Sequence, residues 1–204
     1  MASETIDFVE RAAGAVILAA ASPVIAASAA AVAILSRRSP FIAHRRVGQG
    51  GELLWVWKLR TMWGRGAPDP QEKGWVEYIV AEPDSDRKDP GDDRVTSRFA
   101  RFLRRHSIDE LPQLWHVARG KMSLVGPRPL TRTEVARYYG ARAMELLSVK
   151  PGITGIWQTR GRSAVSFPER AAMDLELVRG LTARTYFSIL LRTLPVLFHG
   201  KGAW

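Results

Sequence analysis

Asp109 and Glu110 are adjacent carboxylates in HSIDELPQLW, residues 106–115, and they follow the basic run RFARFLRRH. Arg104 and Arg105 stand just before them, and Arg128 comes later in GPRP, residues 126–129. Carboxylates among guanidinium groups suit chemistry on a phosphorylated substrate. One acid can attack phosphorus or ligate Mg²⁺, while the cations offset charge on phosphate oxygens. A structural reading competes with this one. Ser107 and Glu110 have the S-x-x-E spacing of a helix capping box, and the pattern alone favours that cap. The box leaves Asp109 without a task, however. Pro112 fits the first turn of a helix, so a helix is expected from about Asp109 through Leu111, Leu114 and Trp115 to near ARGKM. Both acids would then sit at a helix start, where free amides and the dipole favour the ionised form.

The elements around these acids can be read from pattern. In SPFIAHRRVGQGGELLWVWKLRTMW, GQGG punctuates two apolar runs like a turn, which predicts a hairpin. Lys58 and Arg60 lie on its second arm as further cationic candidates. Residues 64–93 are rich in Gly, Pro, Asp and Glu and read as loop, with a short ordered piece around WVEYIV. Asp89, Asp92 and Asp93 lack the ligand series of a calcium loop. RFARFLRR groups Phe99, Phe102 and Leu103 on one side of a basic amphipathic helix, suited to a membrane surface or to a core with solvated arginines. LTRTEVARYYGARAMELLSV reads as one amphipathic helix ending before KPGITG. YFSILLRTLPVLF is too short for a span and reads as a core or interfacial helix.

Charge divides the chain. The formal net charge is +10 over 204 residues without cysteine, which excludes a disulfide framework and thiolate zinc. Residues 1–36 carry Glu4, Asp7, Glu10 and Arg11, a net of −2, so the remainder holds +12. That excess points to an anionic partner: nucleic acid, anionic lipid or a phosphorylated substrate. Ala12 to Leu35 has no charge, and 24 helical residues would extend about 36 Å, enough for a bilayer core of about 30 Å. Ser22-Pro23 interrupts its middle. A proline there bends a helix and a serine can satisfy the freed carbonyl, so spanning and re-entry both remain open. A cleaved signal peptide fits poorly, because the leader lacks a basic n-region.

The whole motif series resembles the bacterial sugar transferases, the monotopic phosphoglycosyl transferases that begin glycoconjugate assembly. The Ser-Pro pair, RRVGQGGELLWVWKLRTM, DRVTSRFARFLRRHSIDELPQLW, MSLVGPRP and KPGITGIWQTRGR occur in family order, from about Ala12 to Arg162. The resemblance implies an α+β, mainly helical fold. A re-entrant helix broken at Ser22-Pro23 would occupy residues 1–38, and a compact catalytic domain with a small hairpin and interfacial helices would occupy residues 39–204. It implies the cytoplasmic face of a bacterial inner membrane, Mg²⁺ as cofactor, and a UDP-sugar and polyprenyl phosphate as substrates. Asp109 would attack the sugar-bearing phosphate and release UMP, and polyprenyl phosphate would resolve the phosphosugar-aspartyl intermediate. Glu110 would help hold the metal, with Asp109 beside it. Gln158 and Arg162 would meet the donor, while charge and placement make Arg104, Arg128, Lys58 and Arg60 the cations that could receive phosphate, with Lys58 and Arg60 equally able to line the membrane. Anionic lipids are expected partners, a homo-oligomer is compatible, and no nucleic acid is expected. Without the extra membrane helices of larger relatives, a minimal catalytic form is expected.

The chain departs from the family pattern in places. His116 replaces a common asparagine, Leu177 a tyrosine after DLE, and Tyr186 an aspartate before ILLRT. These leave the acids intact and bear on the donor sugar and C-terminal packing. Two other classes compete. A nucleic-acid binder would use the Arg-aromatic run, but no zinc-finger spacing, RNP1-like stretch or basic zipper accompanies it. A non-catalytic membrane adaptor would have little use for an intact acidic pair.

Overall fold

The computed structural model describes residues 2–63, 74–80, 97–160 and 165–199. Arg162 and Asp89, Asp92 and Asp93 lie outside the described residues. The architecture is mainly helical α+β: a long apolar N-terminal helix, two small sheets, and short helices that close over them.

Helix α1 runs Ala2–Ser36 with Pro23 inside it. Proline has no N–H for the carbonyl four residues back, which is that of Ala19. Ser22 Oγ donates to that same carbonyl at 2.8 Å, so the serine supplies the bond the proline removes. Within α1, Ile6–Ser36 is long and apolar enough to cross a membrane. Both flanks of the apolar stretch touch the rest of the protein. At Gly14 a Cβ would lie 2.7 Å from Val117 Cγ1, so glycine permits the close approach. Ala29 and Val32 are buried with Leu59, Ala100 and Leu103. None of residues 15–27 between them is buried.

The expected hairpin is present. Strands β1 (Phe41–Val47) and β2 (Leu53–Leu59) pair antiparallel from Phe41↔Leu59 to Val47↔Leu53. GQGG makes the turn, with Gly50 and Gly51 at φ +68° and +85°, a region that glycine enters at little cost. The WVEYIV piece supplies β3 (Val76–Ile79), parallel to β1, so the sheet order is β2-β1-β3. Alternation puts His44, Arg46 and Lys58 on one face.

Helix α2 (Arg98–Arg105) follows, capped by Ser97 Oγ, which accepts from the Phe99 N–H at 3.2 Å. It buries Ala100 and Leu103, as the core-packed reading expects, while Phe102 is 49% exposed. The helix expected from Asp109 is corrected by the structure. Ser107 adopts φ +55° and caps nothing with its side chain; Ile108–Gln113 is a 3₁₀ turn, and α3 begins only at Leu114 (Leu114–Ala118). The capping-box reading of Ser107 and Glu110 fails because Ser107 is used to reverse the chain out of α2. The helix-dipole argument for the two acids falls with it.

Strands β4 (Ser123–Val125) and β5 (Gly152–Thr154) form a parallel pair. Between them the expected single helix is also corrected. Gly140, at φ +48°, divides it into α4 (Arg132–Tyr139) and α5 (Ala143–Leu146), joined by a 3₁₀ turn. Helices α6 (Ile156–Arg160), α7 (Phe167–Arg179) and α8 (Ala183–His199) complete the fold. Val47, Leu130, Val135, Tyr139, Leu146 and Leu175 share one core. The expected C-terminal segment is therefore a helix, and it buries Ile189 against Val125, Ile156 and Leu177.

Gly126 and Gly152 cross where no side chain fits: a Cβ on Gly152 would lie 2.1 Å from Gly126 N. Gly152→Ala is therefore expected to destabilise the fold by about 3 kcal/mol, the upper end for overpacking. Gly50→Ala, whose Cβ meets open space, should cost only about 1 kcal/mol for its positive φ. Thermal melts of the two variants check this, and equal shifts would contradict it.

Candidate active site

The 3₁₀ turn decides how the two acids are presented. Side chains three apart eclipse in such a turn, so Glu110 and Gln113 share one side and Asp109 and Pro112 the next. Glu110 and Gln113 line a shallow, open cleft together with His44, Arg46, Lys58 and Arg128. Asp109, Pro112 and Gln113 are all buried, Gln113 to 3% and Asp109 to 8% exposure, and Glu110 is half-buried. Asp109 flanks the cleft rather than lining it.

Glu110 is the centre of charge in the cleft. Lys58 Nζ donates to Glu110 Oε1 at 2.7 Å, and Arg128 Nη1 lies 3.8 Å from the same oxygen. Three segments distant in sequence thus deliver one acid and two bases, all partly exposed. An anion entering the cleft meets two cations already held near each other by a carboxylate.

Each member is placed by backbone bonds below it. His116 pins the strand that carries Lys58. β2 is an edge strand, and the Trp57 N–H, which would otherwise point at solvent, donates to His116 Nε2 at 3.3 Å. The imidazole must be neutral to accept. Burial, with the Arg119 charge second, lowers the His116 pKa to about 4, so it is neutral at ordinary pH. The residue that departs from the family pattern therefore has a structural task beside the site.

Arg128 is held from several directions. The Gly126 N–H donates to the Thr154 carbonyl at 2.9 Å, and the Gly152 N–H to the Pro127 carbonyl at 2.8 Å. Beyond the turn, the Val47 N–H donates to the Leu130 carbonyl at 2.8 Å and ties GPRP to the hairpin. The guanidinium carbon of Arg128 lies 5.7 Å from the ring centre of Trp157, and that of Arg170 lies 4.8 Å from it. Such contacts hold a cation over an aromatic face without neutralising it. Asp174, 1% exposed, accepts from the Tyr139 hydroxyl at 2.9 Å beneath this pair. Burial pushes its carboxyl from 3.8 up to about 7, against the Tyr139 bond and the Arg128 and Arg170 charges, which pull it down.

The family described as bacterial sugar transferase matches residues 2–200. The chain belongs to that family. It is 38% identical over 167 residues to the UDP-galactose-lipid carrier transferase of Erwinia amylovora, covering 81% of this chain and 35% of that protein. The exopolysaccharide production protein ExoY of Rhizobium meliloti is 37% identical over 172 residues, covering 81% of this chain and 73% of the relative. The UDP-glucose:undecaprenyl-phosphate glucose-1-phosphate transferase of Caulobacter vibrioides is 36% identical over 200 residues, covering 94% and 69%. The chain thus spans about a third of the Erwinia relative and about seven tenths of the other two.

Of the residues singled out in this sugar transferase, the structure gathers Glu110, Lys58 and Arg128 in the cleft, with Asp109 at its flank. Arg104 is half-buried in the last turn of α2. Arg60 lies elsewhere: it is 6% exposed, its Nε donates to the Ser39 carbonyl at 2.8 Å, and its guanidinium pairs with Glu77. Gln158 Nε2 donates to the Ile153 carbonyl at 3.4 Å and is not a lining residue. His44, Arg46 and Gln113 line the cleft without having been singled out. Gln113 had a signal, its three-residue spacing from Glu110. Trp157 and Asp174 had none that a sequence pattern carries.

Asp174 gives a pH test. Its pKa is raised on folding, so its contribution to stability is complete below about 4 and is lost as pH rises through about 7. Asp174→Asn keeps an acceptor for Tyr139 and removes this loss. Melting temperatures of wild type and variant should converge near pH 4 and separate in favour of the variant by pH 8. A constant offset across that range would contradict the assignment.

Proposed function

We propose that the cleft transfers sugar-1-phosphate from a UDP-sugar to polyprenyl phosphate, releasing UMP and forming a polyprenyl-diphosphate sugar. The observation that carries this reading is the convergence of Lys58 and Arg128 on Glu110 beside Asp109. The printed names of the Erwinia and Caulobacter relatives, with their lipid-carrier and undecaprenyl-phosphate acceptors, favour the same substrates.

The chemistry proceeds by two displacements at one phosphorus. An Asp109 carboxylate oxygen attacks the sugar-bearing phosphate of the donor. The bond to the bridging oxygen breaks, and UMP leaves with that electron pair. A phosphate oxygen of the acceptor then attacks the same phosphorus and expels the Asp109 carboxylate. Splitting the reaction lets a soluble donor and a lipid acceptor use one site in turn. Lys58 offers a mobile point charge, and Arg128 a planar fork that can meet two phosphate oxygens.

The donor set fits Mg²⁺ in its usual enzymatic form, bound through one or two carboxylates with substrate phosphates completing the shell. Among the described residues no group of three or more His, Cys, Asp or Glu forms a closed metal cage. Glu110, with Asp109 beside it, would hold the ion, which when bound supplies positive charge to the diphosphate.

Contacts at both flanks of the apolar segment support a re-entrant α1 on one membrane face. Gly14 and Ala29 both meet the same domain, and 15 helical residues cover only about 22 Å, short of a core of about 30 Å. Arg37 and Arg38 at the exit favour the cytoplasmic side of a bacterial inner membrane.

Full-length protein in nanodiscs, given polyprenyl phosphate, Mg²⁺ and a panel of UDP-sugars, should release UMP with at least one donor. Asp109→Asn should lower that rate by about 1,000-fold or more, as loss of a nucleophile does, while the variant still inserts in membrane. Full activity in Asp109→Asn would remove the nucleophile assignment.

A further inference from the structure

The transfer reading leaves unused a set of polar contacts in the acidic first turns of α1. Glu10 Oε1 accepts from Ser123 Oγ at 2.5 Å, from the Leu124 N–H at 2.7 Å and from the Tyr186 hydroxyl at 2.5 Å. One turn earlier, Asp7 forms an ion pair with Lys150. One residue later, Arg11 Nε donates to the Ala118 carbonyl at 3.5 Å. These acids lie before the apolar stretch and, with Glu4 and Arg11, give residues 1–36 a net charge of −2.

Their partners are the two strands that carry the phosphate-binding turn. Ser123 and Leu124 belong to β4, and Lys150 stands just before β5. Each strand has three residues, and a two-stranded pair of that length does not hold its own register in water. Glu10 fixes β4 through a backbone amide and a side chain, and Asp7 fixes the approach to β5. Tyr186 completes the set from α8. Burial, with the Glu10 bond next, raises its hydroxyl pKa, so it remains a donor. Its neutral side chain suits the place beside Glu10, where an aspartate would set two like charges together.

We propose that Glu10 is a positioning residue for Arg128. The first turns of the membrane helix bracket β4 and β5, and the bracket sets where Gly126–Arg128 stands relative to Glu110. None of the groups that Glu10 hydrogen-bonds lines the cleft, and it acts through Ser123 and Leu124 of β4, five and four residues before Arg128. Seating of α1 and readiness of the phosphate site are thereby one event. This inference rests on the transfer reading of the cleft.

The test uses full-length Glu10→Ala, Glu10→Gln and Tyr186→Phe in nanodiscs, with steady-state UMP release and hydrogen exchange followed together. Glu10→Ala should lower kcat about 10-fold, since small displacements of a phosphate-binding group are costly. The donor KM should stay within about twofold, because the guanidinium is needed most as charge builds. Glu10→Gln, whose amide oxygen can accept the Leu124 N–H, should recover most of the loss, and Tyr186→Phe should lie between. Exchange at the Leu124 and Gly126 amides should quicken in Glu10→Ala and not in Glu10→Gln. Wild-type kcat in Glu10→Ala, an equal loss in Glu10→Gln, or a loss matched by a lower folded fraction would overturn the proposal. Should wild type release no UMP with any donor, the transfer reading fails and exchange alone reads the bracket. Quickened Leu124 and Gly126 amides would keep it, and unchanged ones would end it.

Discussion

One carboxylate oxygen organises the site. Glu110 Oε1 takes the Lys58 ammonium at 2.7 Å and faces the Arg128 guanidinium at 3.8 Å. Without it, two cations would share a cleft and repel. With it, they are held where phosphate oxygens can replace or join the carboxylate. The pairs are partly exposed, and ion pairs of that kind contribute little to stability. For the proposed transfer their value lies in prearranged charge, which would cost no reorganisation when a phosphoryl group arrives.

That prearrangement depends on backbone contacts rather than on further charge. The edge-strand amide of Trp57 is taken up by a neutral His116, and Lys58 is the next residue. The Val47–Leu130 bond joins the hairpin to the far side of GPRP. Gly126 and Gly152 let two backbones cross beneath the turn. Asp174 is the exception, a buried acid tied to Tyr139 near Arg128 and Arg170. Burying it is unfavourable, and its neighbours offset part of that cost.

The sequence made local features legible and left the long-range ones hidden. The hairpin followed from glycines between apolar runs, and α2 from its single apolar side. The acidic pair stood out because adjacent carboxylates among arginines are unusual. Ser107 misled because S-x-x-E is a local pattern whose outcome depends on context. The same spacing forms a true capping box at Thr131 with Glu134. Arg60 was read as a phosphate-meeting cation, and only the fold shows Glu77 of β3 beside it. Asp174 and Trp157 support Arg128 across long sequence separations, where no periodicity reports contact. The long apolar helix was evident, yet its acidic first turns carried no signal of what they grip.

The central claim is that this cleft lets Asp109 form a bond to phosphorus. Intact-mass spectrometry of the full-length chain, incubated with its UDP-sugar and Mg²⁺ but no acceptor, reads that bond directly. The account predicts a mass gain of one phosphosugar, located to Asp109, lost on adding polyprenyl phosphate and absent in Asp109→Asn. UMP release with acceptor present, but no covalent adduct under rapid quench without it, would contradict the account.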